Sequence, residues 1–413
     1  MLPNHLQLPP PRLLGRGLVL LVAAAALVTS VTFYVLDGSF VLTRLVSTDW
    51  KMHTDFETFW QSARALLEGR DIYETSAAVV NLNPPFASLV LAPLGWLDFW
   101  PAYRAFTLLC VALVVASMAT VAGELRVRPA AAIMVTTAVL VSSPVLATLG
   151  LGQIYPLLMA GLTVAWVLGR RGHAVWAGAA LGVVVALKPS LAPVLLLPLA
   201  RRQWAVLTAA IGTGGLAALA GWFTAGWQSL PNWVLLVFDH PVQAYVDNAS
   251  LVGTAQRLTT QSPGVDPLVE LPGGAVIGLL LGLALVAVTT WTVRRPPAAG
   301  PDTGLWAMAG ASLLASPLSW HNYLLLLMPG VLVLIVRGRW PIAALLLALS
   351  SIGMEWQWVW GAPAPAVAMS LYCGVLLAYW AALLQRPAAR VDAEVVALPP
   401  APGLPGQRTH VGV

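Results

Sequence analysis

"GLVLLVAAAALVTSVTFYVL", Gly17 to Leu36, is a run of 20 residues with no charged side chain. It follows Arg12 and Arg16, as the apolar core of a secretory signal peptide would. A signal peptide is shorter and closes on small residues at its cleavage site, whereas this run closes on Phe33, Tyr34, Val35 and Leu36. Its length matches the roughly 20 apolar residues that cross a bilayer, so we read it as a retained first transmembrane helix. Comparable runs recur along all 413 residues, of which 58% are hydrophobic and only 9% charged. With a mean hydropathy of +0.79, the chain reads as an all-α polytopic membrane protein without a large soluble domain. Cys110 and Cys373, the only cysteines, both lie in apolar runs, which excludes a disulfide framework and a thiolate metal site. The net charge of +5 comes from scattered arginines, so nucleic acid is not expected as a partner.

Those arginines punctuate the apolar runs in couples: Arg126 and Arg128, Arg170 and Arg171, Arg201 and Arg202, Arg294 and Arg295, Arg337 and Arg339, Arg386 and Arg390. The positive-inside rule makes these loops and both termini cytoplasmic. The chain must leave and return between couples, which gives about 12 crossings, one of them running from Ala131 to Ala147. Pro85 to Trp96 breaks the parity, because it is short for a span and either re-enters or crosses. Most acidic residues fall outside in this scheme, and only Glu124, Asp302, Asp392 and Glu394 fall inside. One membrane domain therefore covers residues 1–386, with a first external loop at 37–84 and a long external loop at 224–272. Residues 387–413, rich in Pro, Ala and Gly, read as a disordered cytoplasmic tail.

Charge concentrates in one place, "WKMHTDFETFWQSARALLEGRDIYE" from Trp50 to Glu74, in the first external loop. Phe56, Phe59, Trp60, Ala63, Leu66 and Leu67 recur at helical spacing, so an amphipathic helix resting in the outer interface is expected. Thr54 and Glu57 fit a capping box and Gly69 a C-terminal stop. Asp55 then falls on the first turn. It either complements the helix dipole or serves as a carboxylate that takes a proton from an incoming hydroxyl. Asp55 and Glu57 also suggest a metal pair, but residues two apart on a helix point in different directions, so no metal is expected.

Other polar positions project to the same external side. Gln153 in "LGLGQIYPLLM" opens a helix, Asn248 in "VDNASLVGTAQRL" precedes Arg257, Lys188 in "LGVVVALKPSLAP" ends a helix at a proline, and His321 in "SPLSWHNYLLLLMP" begins one. Taken singly, the lysine can snorkel to the interface, the histidine can be structural and the amides can be ordinary helix-end residues. Together they describe a site for an anionic substrate that reacts there.

In order, "TDFETFWQSARALLEGRDIYE", "NPPFASLVLAPL", "LGQIYPLLM", "LGVVVALKPSLAPVLLLPLARRQW", "DNASLVGTAQRL" and "SPLSWHNYLLLLMPG" resemble the membrane glycosyltransferases of family 87 in the GT-C class. That family includes actinobacterial polyprenol-phosphate-mannose-dependent α-mannosyltransferases, and the resemblance runs from about Asp55 to Leu384. It implies a GT-C-type bundle, a polyprenyl-phosphate-linked sugar donor, reaction on the outer face of a bacterial plasma membrane, inversion and no metal or other cofactor. It puts the catalytic aspartate on Asp55, the lysine before a helix break on Lys188, and the G-Q element on Gly152 and Gln153. The family's N-Q-S element is here Asn248, Ala249 and Ser250. Where the family often has Y-P-P, this chain has Asn83, Pro84 and Pro85. Where it often has histidine two places after the S-W pair, His321 follows directly and Asn322 takes the second place.

The chemistry suits the residues. A phosphate leaving group needs a cation, which Lys188 or Arg257 can supply. The acceptor hydroxyl needs one base, and the phosphate leaves without a proton, so a single carboxylate serves an inverting transfer. Gln153, Asn248, His321, Asn322 and Trp320 are the expected substrate contacts. Trp320, with Trp356, Trp358 and Trp360, offers apolar faces to sugar rings or a polyprenyl chain, or else forms an interfacial belt. The expected function is transfer of a hexose, mannose by the resemblance, from a polyprenyl-phosphate donor to an extracytoplasmic glycolipid or glycan acceptor. A secondary transporter is the rival from another class, but it calls for polar residues at mid-bilayer rather than at one end. A flippase or polymerase of lipid-linked glycans is the third reading.

Overall fold

The computed structural model describes residues 11–36, 41–46, 55–242, 244–262, 264–297, 301–353 and 363–384. The expected cap at Thr54, the tryptophans 356, 358 and 360, and the tail 387–413 lie outside them. The described chain is helical, apart from a two-residue parallel pairing of Val265–Asp266 with Ala364–Pro365. Four helices are long and apolar enough to cross a membrane: Gly17–Leu36 within α1 (Pro11–Leu36), α5 (Phe99–Glu124), α11 (Trp204–Ala225) and α14 (Gly274–Val293). A fifth span arises if the bent pair α6 (Pro129–Leu140) and α7 (Ser143–Leu151) is counted as one. Shorter apolar helices surround them, so the chain is a multi-pass membrane protein. For the numbering, α2 is Val41–Val46, α3 Asp55–Leu67, α4 Pro85–Leu91, α8 Tyr155–Arg170, α9 Ala174–Leu187 and α10 Leu196–Ala200. Further on, α12 is Ser229–Asp239, α13 Leu251–Thr259, α15 Gly304–Ala315, α16 Met328–Val336, α17 Trp340–Ser350 and α18 Leu371–Leu384.

Arginines of three couples gather with their partners at one end of the bundle. Arg170 and Arg171 share Glu124 at 3.3 and 3.0 Å. Arg201 pairs with Asp302 and donates to the Val293 carbonyl. Arg337 donates to Thr303 Oγ1, whose hydroxyl donates to the Leu383 carbonyl. The C-terminal ends of α5, α8, α10, α14, α16 and α18 are thereby tied together. The opposite end carries α3, the start of α8, the break after α9 and the start of the segment leading into α16.

Close helix contact depends on small residues, because lipid gives apolar side chains no reason to leave it and packing must supply the attraction. On α9, Gly178 and Gly182 face α11 so closely that a Cβ on either would stand 2.2 Å from the Val206 carbonyl oxygen or 2.4 Å from that of Ala210. Alanine at either position would force the two helices apart.

Three expectations change in detail. The run from Ala131 to Ala147 is not one straight helix. It breaks after Leu140, turns by 56° and resumes at Ser143 with Pro144 in its first turn, where a proline lacks no needed N–H. Pro85 to Trp96 is not one α-helix but α4 followed by a 3-10 turn, Ala92–Trp96. Tyr73 bonds the Asn83 carbonyl before it and Trp60 the Leu97 carbonyl after it, so both flanks stay beside α3. The apolar side of α3 is packed on protein: Phe56, Phe59 and Ala63 are buried, and Phe56 and Trp60 meet Phe99 of α5. The stop at Gly69 is as expected, with φ +67° and an Arg70 N–H bond to the Ala65 carbonyl.

Candidate active site

Asp55 is the first described residue of α3, and Gln153 Nε2 donates a hydrogen bond to its Oδ2. The contact is built from the Gly152 position. α7 ends there in the left-handed conformation, φ +69°, with the Gln153 N–H returning to the Thr148 carbonyl. A Cβ on Gly152 would lie 2.5 Å from Phe56 Cβ, so only glycine allows the first turn of α3 to press against the end of α7. Phe56, fully buried, locks that turn against Tyr103 and Phe106 of α5. Tyr103 in turn donates to the carbonyls of Leu149 and Gly150. Glu57 accepts from Gln61, one helical turn along its own helix.

Lys188 closes α9. Pro189 forbids the helix from continuing and drives the residue before it into an extended conformation, φ −141° and ψ 85°. The ammonium stands 5.2 Å from the centre of the Tyr323 ring, a cation–π contact. Tyr323 packs against Tyr155 with ring centroids 4.1 Å apart, and the charge of Asp55 acts on Tyr155. The two tyrosines therefore bridge carboxylate and lysine. Neither was singled out from sequence, although each lies two residues after one that was, Gln153 and His321.

The long loop between α11 and α14 is bolted to the turn after α15. Asn248 is fully buried. Its Oδ1 accepts from the Ser250 and Ser319 amides and its Nδ2 donates to the Pro317 carbonyl. Ser250 caps α13 by accepting from the Gly253 amide at 2.9 Å. Arg257, also fully buried, donates to the carbonyls of Tyr245 and Asn248 and to Thr254 Oγ1. Burial brings its guanidinium down to about 10, while Cys373 and Asp247 favour the charge. Both residues thus shape this loop. Trp320 forms a backbone bridge with Asn248 and lies against Tyr245, ring centroids 6.4 Å apart. Asp247, also missed, sits between these anchors. Burial pushes its carboxyl up to about 6, Arg257 pulls the other way, and Asp55 adds to the rise.

His321 is buried, stacked on Tyr372 at 4.8 Å, with Nε2 3.3 Å from the Ser143 hydroxyl. Its Nδ1, the Oδ1 of buried Asn322 and the Oγ of Ser190 have no hydrogen-bond partner among the described residues. A buried polar atom without a partner carries a desolvation cost of about 1–3 kcal/mol, so these atoms are free to meet a ligand. The arrangement holds a carboxylate, a cation and several open polar atoms at one end of a membrane bundle.

Comparison with known proteins bears on what such an end does. The family model described as glycosyltransferase family 87 matches residues 81–317, more than half of the chain. That span holds Gln153, Lys188, Asn248 and Arg257, while Asp55 and His321 lie just beyond it. A polyprenol-phosphate-mannose-dependent alpha-(1-2)-phosphatidylinositol mannoside mannosyltransferase of Mycobacterium tuberculosis is 29% identical over 73% of this chain and 75% of its own length. The Mycolicibacterium smegmatis protein of the same description is 28% identical over 68% and 69%. An alpha-(1->3)-arabinofuranosyltransferase of Mycobacterium tuberculosis is 33% identical over 45% and 44%. No solved structure matches the chain. The ordered motifs and the span of the family match lead to one conclusion: this membrane protein belongs to glycosyltransferase family 87.

Proposed function

We propose that the protein transfers a hexose, mannose in the first instance, from a polyprenyl-phosphate carrier to a glycolipid or glycan on the extracytoplasmic side of a bacterial plasma membrane. The observation that carries this reading is the Gln153–Asp55 hydrogen bond, at the end of the bundle where Lys188 lies against Tyr323 and Tyr155. Gln153 donates to Oδ2 and fixes the carboxylate, which receives the acceptor hydroxyl. As that hydroxyl oxygen bonds to the anomeric carbon, its proton passes to Asp55 and the bond from carbon to the phosphate oxygen breaks on the opposite face, inverting the centre. The electron pair departs with the phosphate, which needs no proton, and Lys188 balances its charge. Asp55 returns the proton to water. No metal or cofactor takes part. Arg257, whose guanidinium holds loop carbonyls, keeps the loop in shape, and the phosphate falls to Lys188. The names of the relatives support mannose first and arabinofuranose second. The arginine couples support a cytoplasmic location for their end and for both termini, with about 12 crossings.

Two experiments test this. Purified protein is given polyprenyl-phosphate mannose or polyprenyl-phosphate arabinose with a membrane lipid extract. Mannosylated lipid is expected; arabinosylated lipid alone would change the donor, and no transfer from either would reject the reading. For sidedness, Asp239→Cys on exposed α12 should react with an impermeant thiol reagent in intact cells and Gln203→Cys should not. The reverse pattern would invert the topology.

A further inference from the structure

α7 holds the candidate site from both of its ends. Just past its C-terminus Gln153 bonds Asp55, and its first residue, Ser143, bonds His321. Ser143 Oγ lies 3.3 Å from His321 Nε2 and 3.0 Å from the hydroxyl of Tyr34, near the C-terminus of α1. All three side chains are buried. Tyr372 stacks on the imidazole with planes 23° apart, and its own hydroxyl donates to the Ile352 carbonyl. The ring is therefore fixed both in plane and in direction. With Nε2 turned to Ser143, Nδ1 faces away from it, buried and without a hydrogen-bond partner among the described residues. The residue stands between Trp320, which bridges Asn248, and Tyr323, which meets Lys188, so it belongs to the same end of the bundle. A structural histidine satisfies both ring nitrogens. Here three buried side chains secure one nitrogen and its ring, and the other nitrogen is left open.

The row from phenol to hydroxyl to imidazole has a direction. The phenol is the strongest acid of the three and an imidazole nitrogen the strongest base, so Tyr34 donates to Ser143 and Ser143 donates to Nε2. No carboxylate contacts the ring among the described residues, and a buried imidazole without one carries a single proton. With Nε2 accepting, that proton is on Nδ1. We propose that Tyr34 and Ser143 are positioning residues that hold His321 in the Nδ1–H tautomer, so that Nδ1 donates a hydrogen bond to an oxygen of the bound sugar substrate. This rests on the glycosyl-transfer reading above and deepens it at the same site. The other tautomer would present a lone pair, which glycosidic and phosphate oxygens cannot use, whereas an N–H suits every oxygen of a phosphate-linked sugar.

Two measurements test this. The first needs no substrate: nitrogen NMR of ring-labelled histidine, with the His321 signals identified by their loss in His321→Gln. The wild type should carry the proton on Nδ1, and Ser143→Ala should share it between the two nitrogens. Tyr34→Phe, which keeps the ring and removes only the hydroxyl, should shift the signals the same way and serves if Ser143→Ala is not recovered folded. A wild-type proton on Nε2 or on both nitrogens, or signals unmoved by either variant, overturns the inference. The second is transfer by purified protein from polyprenyl-phosphate mannose to a membrane glycolipid acceptor. An asparagine amide reaches the place of Nδ1 and a glutamine amide that of Nε2. His321→Gln should therefore lower kcat/KM by about 10-fold to 100-fold, the range for a lost hydrogen bond to a charged group, and His321→Asn by clearly less. The substrate whose KM rises, donor or acceptor, identifies the oxygen. Equal losses in the two variants, or a larger loss in His321→Asn, overturn Nδ1 as the contact and leave the proposed function standing. Absence of transfer by the wild type overturns the glycosyl-transfer reading, and the ring signals still decide the tautomer.

Discussion

The two ends of the bundle use polar residues in opposite ways. At the basic end they bond each other: Arg201 to Asp302 and the Val293 carbonyl, Arg170 and Arg171 to Glu124, Trp166 Nε1 to the Asp302 carbonyl. A cleft of about 510 Å³ opens there between α8, α9, α10 and α11, and the arginines that line it, Arg170 and Arg201, are both paired. At the opposite end, polar atoms are buried without a hydrogen-bond partner among the described residues, at His321 Nδ1, Asn322 Oδ1 and Ser190 Oγ. Clasped charges stabilise helix ends, whereas open ones destabilise them and are retained for a ligand. The comparison therefore separates residues whose loss should damage the fold from those whose loss should damage the reaction.

The largest effect should come from Asp55. Asp55→Asn keeps the size and the acceptor oxygen that Gln153 bonds, so the protein should be recovered folded, with transfer reduced by roughly 100-fold to 10,000-fold, the range for a positioned general base. Glu57→Gln, whose side chain still accepts from Gln61, should retain most activity. Transfer rates normalised to monodisperse protein check this, and equal losses in the two variants would erase the distinction between them. Lys188→Ala comes next, at about 100-fold in kcat, the scale for removing one preorganised charge partner from a transition state. Wild-type kcat in that variant would return Lys188 to an interfacial role.

Asp247 tests the comparison through pH. Its carboxyl titrates near 6 in the folded protein, above the ordinary aspartate value. The folded state then binds the proton more tightly than the unfolded one. This group costs no stability below the unfolded pKa and progressively more as pH rises through the folded one. Removing that cost should raise the melting temperature of Asp247→Asn at pH 7.5 by about 1 °C for each kcal/mol in a chain this long, and leave it unchanged at pH 4. The smallest effect on catalysis belongs to the basic end. Arg201→Gln should lower stability by about 1–3 kcal/mol by leaving Asp302 and the Val293 carbonyl without their partner. Transfer per folded molecule should stay within about threefold, since surroundings change only far from the site. A loss like that of Lys188→Ala would show that the two ends are coupled.

Much of this was legible along the chain. Hydropathy and arginine spacing are local properties, because a bilayer rewards consecutive apolar residues and penalises charge wherever it falls. They were enough for a multi-pass helical protein, and the ordered motifs were enough for its family. Helix punctuation is local too. Pro189 ends α9 at Lys188, and Gly69 ends α3, by backbone sterics that involve no distant residue. The meeting of Asp55 with Gln153 across 98 positions is of another kind. It depends on Phe56 finding the space left by the missing side chain of Gly152, and no pattern within either segment contains the other.

The same holds for Tyr155 and Tyr323, which belong to different helices, and for Asp247, whose setting depends on Asp55 and Arg257 at once. Arg257 shows the difference most plainly. From sequence it is a cation beside a loop, equally suited to a phosphate. Only the folded loop turns three backbone and side-chain oxygens toward it. A guanidinium's charge is set by its chemistry, but its hydrogen-bond partners are set by whichever carbonyls the tertiary fold leaves unsatisfied around it.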